Sequence, residues 1–286
     1  MFAYIDPRIR SVLVERGRLL RIDGLGRPIP VDEAASGAGD LTLNVLGPVP
    51  LPIEVSTGTV IFQWWSFVRH TELAKAEEIA RAIQGGPDRH LVALLSSHMS
   101  VNAALVIGDA RAAETPLVRV HSSCLTGDVF GSQRCECGPQ FGAALDRIAQ
   151  NPSGGVLVYM SGHEGRGIGL WAKAITYLLQ DAGQDTYQAN RSLGLPDDSR
   201  DFSDAAAILL FLLGGDRPFR LLSNNPKKRQ DLEARGLTHI SPEKHLYGVG
   251  AWNRHYLGAK RRWGHTFDEA DIAQAEAGTR RDEPQG

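Results

Sequence analysis

Three cysteines lie close together in the segment RVHSSCLTGDVFGSQRCECGPQ. Cys124 follows a strand-like run, and Cys135 and Cys137 form a C-x-C pair after a loop rich in glycine and serine. Zinc takes four ligands, and a catalytic zinc site keeps one position for water. Because the chain has no fourth cysteine, this spacing predicts an open zinc site with one ion per chain.

His121 is the nearest candidate for a fourth zinc ligand. It precedes Cys124 on a predicted strand of alternating side chains, so we expect its side chain on the opposite face. The alternative is that the cysteines are buried and inert, as free cysteines often are. A C-x-C pair flanked by arginine, glutamate and glycine is typical of a loop, and this favours the metal site.

The segment SGHEGRGIGL at residues 161–170 follows one predicted strand and opens a helix. Its glycines free backbone amides to face an anion at the helix N-terminus, with Arg166 beside them. This pattern predicts phosphate binding. A plain strand-to-helix connection with capping glycines is the alternative interpretation.

A second basic motif, RLLSNNPKKRQDL, ends a predicted strand at Ser223 and opens a helix at Pro226. Lys227 and Lys228 lie in the first turn of that helix, where cations oppose the helix dipole. A nearby anion would explain them, whereas a solvated surface pair is the alternative.

Charged residues crowd the turn LGLPDDSRDF, among them Asp198 and Arg200. Such a turn is often only a solvated loop. Its functional interpretation is a carboxylate acting as a base next to an arginine that clamps phosphate.

These motifs need a layered scaffold, and the chain predicts one of α/β class, a mixed sheet flanked by helices. The apolar runs VALL, AALVIG, LVRVHS, GGVLVYM and RLLSN read as strands, with helices near residues 140–150, 169–183, 203–214 and 227–235. An amphipathic helix is predicted at residues 71–84. We expect a β-rich N-terminal extension at residues 1–70, a catalytic domain at 71–265 and a polar tail at 266–286.

The composition bounds the partners of the chain. A net charge of −2 and a pI of about 6.5 give no global basic field for nucleic acid or an anionic membrane. The longest apolar run, residues 205–213, is shorter than the roughly 20 residues that cross a bilayer. Clustered cysteines in odd number suit a reducing compartment, so we expect a cytoplasmic protein.

Taken in order, the motifs CLTGDVFGSQRCECGPQ, GHEGRGIGL, LGLPDDSRDF and LLSNNPKK resemble GTP cyclohydrolase II, the enzyme that begins riboflavin synthesis. The resemblance covers about residues 91–265. It implies a homodimer that hydrolyses GTP at guanine carbon 8, opens the imidazole ring, and releases formate and pyrophosphate to leave a diaminopyrimidinone ribosylamino phosphate. Zinc on the three cysteines and magnesium on the triphosphate are the implied cofactors.

The resemblance also implies roles for individual residues. Tyr177 would lie near the guanine, Asp198 would be the general base, and Arg200 would be the nucleophile at the α-phosphate. The residue type favours a clamp for Arg200, because a guanidinium stays protonated. The implied substrate contacts are Arg119, Val120, His121, Ser122, Ser123, Gln140, Glu164, Gly165, Arg166, Thr186, Ser223 and Lys228.

Three positions depart from the family pattern. Ser123 stands where glutamate is common, Ser161 where arginine is common, and Ser223 where threonine is usual. These changes leave open a catalytically altered paralogue that acts on a related purine nucleotide, or a nucleotide-binding regulator. A structural-zinc module whose aromatic FQWWSF patch (residues 62–67) faces a partner is a further alternative.

Overall fold

The computed structural model describes residues 7–32, 41–82, 99–253, 257–258, 260 and 264–273. Its longer helices are α1 (Pro7–Glu15), α2 (His70–Ala82), α3 (Cys137–Gln150), α4 (Gly169–Asp181), α5 (Thr186–Ser192), α6 (Ser203–Leu213) and α7 (Pro226–Glu233). Its strands are β1 (Leu19–Asp23), β2 (Pro28–Ile29), β3 (Thr42–Val55), β4 (Gly58–Arg69), β5 (Asn102–Ile107), β6 (Leu117–Ser122), β7 (Gly155–Met160), β8 (Phe219–Leu222) and β9 (Ile240–Glu243). None of the described helices is long and apolar enough to span a bilayer.

All nine of these strands form one sheet in the order β2-β1-β3-β4-β5-β7-β6-β8-β9. From β2 to β7 each neighbouring pair is antiparallel, whereas β7, β6, β8 and β9 run parallel. The predicted mixed sheet flanked by helices is confirmed. Residues 1–70 and 71–265 both contribute strands to it.

Side chains alternate between the two faces of the central strands, as a pleated strand requires. Val156 and Val158 of β7 pack in the same cluster as α6, while Leu157 packs in another with Ile148 of α3. Every residue of α6 is buried, as expected for a helix that is apolar all round. Helices therefore cover both faces of the sheet.

The aromatic patch of β4 belongs mainly to this core. Phe62 and Phe67 are buried on opposite faces of the strand, and the Trp65 ring lies 5.6 Å from that of Phe211. The idea that this patch faces a partner is therefore wrong for its two phenylalanines, because β4 lies between β3 and β5 inside the sheet.

The parallel strands set the position of the functional motifs. The cysteine loop follows β6, the GHEGR segment follows β7, and the SNNP segment follows β8. Ligands of open α/β sheets bind outside the carboxyl ends of the strands, and all three motifs meet at that edge. The predicted strand VALL lies outside the described residues, as do residues 83–84 of the predicted helix and 274–286 of the predicted tail.

Candidate active site

The three cysteine sulfurs converge at the carboxyl end of β6. Their sulfur atoms all lie within 4.8 Å of one another, and the Cys124 and Cys135 sulfurs are 3.5 Å apart. Four tetrahedral ligands at the zinc–sulfur distance stand about 3.8 Å apart. In the part of the chain that the structure describes, this is the only group of His, Cys, Asp and Glu close enough to share a metal ion. The donor set and its spacing fit zinc.

A glycine lies against the sulfurs and keeps space for them. A Cβ on Gly127 would meet the Cys135 sulfur at 3.0 Å and the Cys124 sulfur at 3.2 Å. His121 is directed elsewhere: its Nε2 lies 3.1 Å from both carboxylate oxygens of Asp128. It is therefore not part of the sulfur group, in agreement with its place on the strand.

The three thiols differ in pKa because they form hydrogen bonds with one another. Hydrogen bonds from Cys135 and Cys137, with the nearby charge of Lys173, lower the pKa of Cys124. The hydrogen bond to Cys124 raises the pKa of Cys135 to about 12, and hydrogen bonds to Cys124 and Cys135 together with burial raise that of Cys137. Cys124 is therefore the sulfur that carries the thiolate first.

A buried cationic group lines the same pocket as the sulfurs. Arg119 donates to the Leu222 carbonyl at 2.7 Å and to Gln140 at 3.0 Å, and its Nε has no partner among the described residues. Lys228 donates to the Val120 carbonyl at 2.6 Å. Burial lowers the pKa of both side chains, to about 10 for Arg119, and for Lys228 the charges of Arg119 and Arg200 add to this effect. Such a group is stabilised by an anion.

The charged turn holds Arg200 by a bidentate ion pair. Arg200 donates to Asp198 at 2.9 and 2.6 Å, and to the Ser122 hydroxyl at 3.3 Å. Burial raises the pKa of Asp198, but the hydrogen bonds and charge of Arg200 outweigh it and lower that pKa to about 2. A carboxylate held in this way is a weak proton acceptor.

His163 connects this turn to β6. Its Nε2 donates to the Asp201 carbonyl at 3.0 Å, so its Nδ1 is left to accept from the Ser122 hydroxyl at 3.2 Å. Burial and the charge of Arg200 lower the pKa of His163 to about 4, which keeps the ring neutral. The ring thereby fixes the Ser122 hydroxyl next to Arg200.

The GHEGR segment adopts a tight turn of left-handed residues before α4. Gly165 has φ 59° and Arg166 has φ 64°, and a side chain at the latter conformation is uncommon outside functional sites. The Arg166 guanidinium lies 4.2 Å from the centre of the Tyr187 ring. The turn thereby brings Arg166 to the pocket wall.

One pocket contains most of the predicted residues. Three of them do not line it: the Val120 side chain packs in the core, Glu164 faces the cysteine loop, and Asp198 is paired with Arg200. Those that line it are Arg119, His121, Ser122, Ser123, Cys124, Cys135, Cys137, Gln140, Gly165, Arg166, Tyr177, Thr186, Arg200, Ser223 and Lys228.

The pocket, lined by both the cysteine sulfurs and buried cations, combines the cysteine loop, the GHEGR segment and the SNNP segment. The family model described as GTP cyclohydrolase II matches residues 91–241, just over half of the 286 residues. The chain belongs to the GTP cyclohydrolase II family.

Curated relatives of this GTP cyclohydrolase II family member carry the name riboflavin biosynthesis protein RibBA. The Nocardia farcinica protein is 51% identical over 177 residues, which are 60% of this chain and 42% of that protein. The Salinispora arenicola protein is 49% identical over 178 residues, 62% of this chain and 42% of its own length. The chain thus spans about two fifths of the length of these relatives.

The structure adds pocket residues that the sequence did not point to. Lys173, Thr176 and Gln180 line the pocket together with Tyr177, at the i, i+3, i+4 and i+7 spacing of one helix face. This spacing in the helix after the GHEGR motif was the available signal. His265 and Phe267 also line the pocket, on either side of the boundary predicted at residue 265.

Two of the three serines that depart from the family pattern, Ser123 and Ser161, are in contact. Ser123 donates its hydroxyl to the Ser161 carbonyl at 2.8 Å. The Ser161 hydroxyl is 3.3 Å from Asn102 of β5, which also accepts the Ser161 backbone N–H. The two positions are therefore in direct contact, with Ser123 at the pocket wall and Ser161 behind it.

Proposed function

We propose that this chain hydrolyses GTP, opening the guanine imidazole ring and releasing formate and pyrophosphate. The observation that carries the proposal is that three clustered cysteine sulfurs and a buried group of Arg119, Arg200 and Lys228 line the same pocket. The first suits a hydrolytic metal and the second a triphosphate, which are the two ends of one nucleotide. The proposal includes a cytoplasmic homodimer acting in riboflavin synthesis.

The ring end of the site consists of Cys124, Cys135 and Cys137. These three cysteines would hold zinc, which would supply a nucleophile at neutral pH by acidifying water. Tyr177 is placed to act at this end, because its hydroxyl lies 3.3 Å from that of Thr126 in the cysteine loop. The Arg134 guanidinium lies 4.8 Å from the centre of the Tyr177 ring. This contact fixes the orientation of the ring beside the proposed position of the base.

The phosphate end consists of three cations, of which only Arg200 forms an ion pair with a carboxylate among the described residues. Arg119 donates to the Leu222 carbonyl and to the Gln140 side-chain oxygen, and Lys228 donates to the Val120 carbonyl, so their charges remain available to an anion. Ser223 caps the following turn by accepting from the Asn225 N–H at 3.1 Å. We assign magnesium to the nucleotide itself, since it binds phosphate oxygens with few protein ligands.

Asp198 serves in this scheme to hold Arg200. The ion pair holds the guanidinium at the pocket, where two charge-assisted hydrogen bonds fix its direction. Arg200 then stabilises charge at the α-phosphate as a clamp, because a guanidinium does not lose its proton at working pH.

Incubation of the full chain with GTP and magnesium, followed by mass identification of the products, tests the function. We expect formate and pyrophosphate from wild type, and about one zinc per chain. Cys135→Ser should lose both zinc and formate release, whereas Arg200→Ala should keep zinc and slow pyrophosphate release. The assignment would be contradicted if the wild-type protein released no formate from GTP, or if the Arg200→Ala variant released pyrophosphate at the wild-type rate.

The contact between Ser123 and Ser161 favours one second candidate. Serines at both of these contacting positions, in place of the common glutamate and arginine, would be consistent with a paralogue that acts on a related purine nucleotide, or with a nucleotide-binding regulator. Comparison of GTP with other purine nucleotides in the same assay separates these outcomes, because only the regulator binds nucleotide without releasing formate.

A further inference from the structure

Lys173 is a buried lysine that touches the cysteine cluster. It lies on α4, with only 7% of its surface exposed. Its ammonium is 3.1 Å from the Cys124 sulfur, 2.9 Å from the Thr126 hydroxyl and 2.6 Å from a Glu164 oxygen. An ammonium has three N–H donors, so these three acceptors use all of them.

We propose that Lys173 is a positioning residue that fixes the Cys124 sulfur for metal binding and tunes it as a ligand. The inference rests on the proposed zinc site. It assigns Lys173 to the metal end of the pocket, although lysines in nucleotide sites more often bind phosphate.

Glu164 makes this placement rigid. One carboxylate oxygen accepts from Lys173 and from the Gly165 N–H, and the other accepts from the Leu125 N–H at 2.6 Å. The carboxylate therefore joins α4 to the residue that follows Cys124. The ammonium lies between this carboxylate and the sulfur. It therefore cannot move to contact a phosphate without breaking one of these two contacts.

A cation is suited to this position by charge. Three thiolates carry more negative charge than one zinc ion neutralises, and Cys124 is itself buried. A charge-assisted hydrogen bond from Lys173 offsets that excess at one sulfur. Partners of this kind typically contribute about 10–100-fold to metal affinity or activity.

The same ammonium also connects the metal end to Tyr177. The Thr126 hydroxyl that accepts from Lys173 lies 3.3 Å from the Tyr177 hydroxyl. Lys173 and Tyr177 are one helical turn apart on α4. One side chain therefore sets the relative position of a metal ligand and of the aromatic group assigned to the base.

Cobalt substitution of the full chain tests the inference without relying on activity. Removal of an N–H donor raises the energy of sulfur lone pairs, so Lys173→Met should shift the sulfur-to-cobalt charge-transfer band to longer wavelength. Zinc affinity, measured by competition with a chromophoric chelator, should fall about 10–100-fold. Lys244→Met is the matched control, because Lys244 is exposed and pairs with Asp271 away from the pocket.

Two further variants separate the sulfur contact from the ion pair. Glu164→Gln keeps Lys173 and should shift the band far less than Lys173→Met. The double variant Lys173→Met/Glu164→Gln leaves no buried charge without a partner. It should show the full shift of the charge-transfer band even if the single Lys173→Met variant fails to fold. A wild-type band in the double variant, or equal shifts in Glu164→Gln and Lys173→Met, would overturn the inference. Wild-type protein that binds neither zinc nor cobalt would instead refute the proposed function.

Discussion

At the scale of single residues, Gly127 shows how closely the cysteine loop is packed. Three cysteine atoms lie within 3.0–3.2 Å of the position that a Cβ would take. Real Cβ atoms rarely have neighbours so close, so a side chain there must displace the sulfurs. The φ of Gly127 is not in the left-handed region, so its backbone conformation does not require glycine. The close approach of the cysteine atoms does.

Gly127→Ala should therefore weaken zinc binding by at least about tenfold and destabilise the protein by about 1–3 kcal/mol, the typical cost of overpacking. Gly142→Ala in α3 is the matched control. A Cβ there meets no atom within 4 Å, and alanine favours helix over glycine by about 1 kcal/mol. Zinc titration and urea unfolding of both variants decide the matter; a Gly127→Ala protein with wild-type zinc affinity would show that the loop has room.

The paired serines give a second prediction at this scale. Because Ser123 and Ser161 touch and both are partly buried, a charge introduced at one position lies partly buried beside the other. Ser123→Glu alone and Ser161→Arg alone should each lower turnover or the free energy of unfolding. The loss of unfolding free energy should be at most about 3–5 kcal/mol, the value for an unpaired buried charge. The double variant should recover part of the loss.

A double-mutant cycle on stability and on GTP kinetics measures this coupling. Purely additive effects of the two changes would refute it. An unchanged preference among purine nucleotides across the three variants would show that these serines do not select the substrate.

At the scale of secondary-structure elements, the turn before α6 is held by a residue from the N-terminal strands. Arg69 at the end of β4 donates to Asp204 at 2.8 Å and to Asp201 at 2.7 Å. These carboxylates flank the start of α6, directly after Asp198 and Arg200. A strand outside the family match thus supports the phosphate side of the site.

Arg69→Met should cost about 1–3 kcal/mol in stability, less than a fully buried pair because Arg69 is partly exposed. It should also raise KM for GTP more than it lowers kcat, since the effect passes through the position of Arg200. Arg27→Met, which breaks an exposed pair with Asp23, should change stability by less than about 0.5 kcal/mol. Equal effects of the two variants on KM would contradict this role of Arg69.

The elements that carry the site were predictable because each motif directly follows an apolar strand. Cys124, the GHEGR turn and Ser223 were each predicted at the end of a strand, and a thiol cluster with one open position was predicted from residue type. The parallel pairing that brings these strand ends to one edge is a finding of the structure. Lys173 and His163 were not predictable in this way. Their roles depend on partners distant in sequence, namely Cys124 for the lysine and the Asp201 carbonyl for the histidine.

At the scale of the whole molecule, the N-terminal strands extend the sheet and cover α6. Gly26, in the turn between β1 and β2, lies so close to this helix that a Cβ would approach the Phe211 nitrogen to 2.5 Å. The β-rich character of this region was readable from its turns and β-branched runs. Its docking was not, because the pairing of β4 with β5 joins residues that are remote along the chain.

Buried histidines link the stability of the whole molecule to pH. Burial lowers the pKa of His121, lowers that of His163 to about 4, and lowers those of His245 and His265 to about 2. In the unfolded chain each histidine has a pKa of about 6.5. Between these values the unfolded state binds more protons than the folded state, so stability is complete above about pH 6.5 and falls as the pH is lowered.

The contribution of His163 to this dependence is directly testable. With a folded pKa of about 4 and an unfolded pKa of about 6.5, it should remove about 2 kcal/mol of stability between about pH 7.5 and about pH 5. His163→Gln should lose that part of the slope, even though the variant starts from a lower stability. His239→Gln, at a side chain that is 60% exposed, is the control. Urea unfolding at fixed zinc across this range gives the slopes; a His163→Gln protein whose slope equals that of wild type would show that His163 takes up its proton without leaving the folded state.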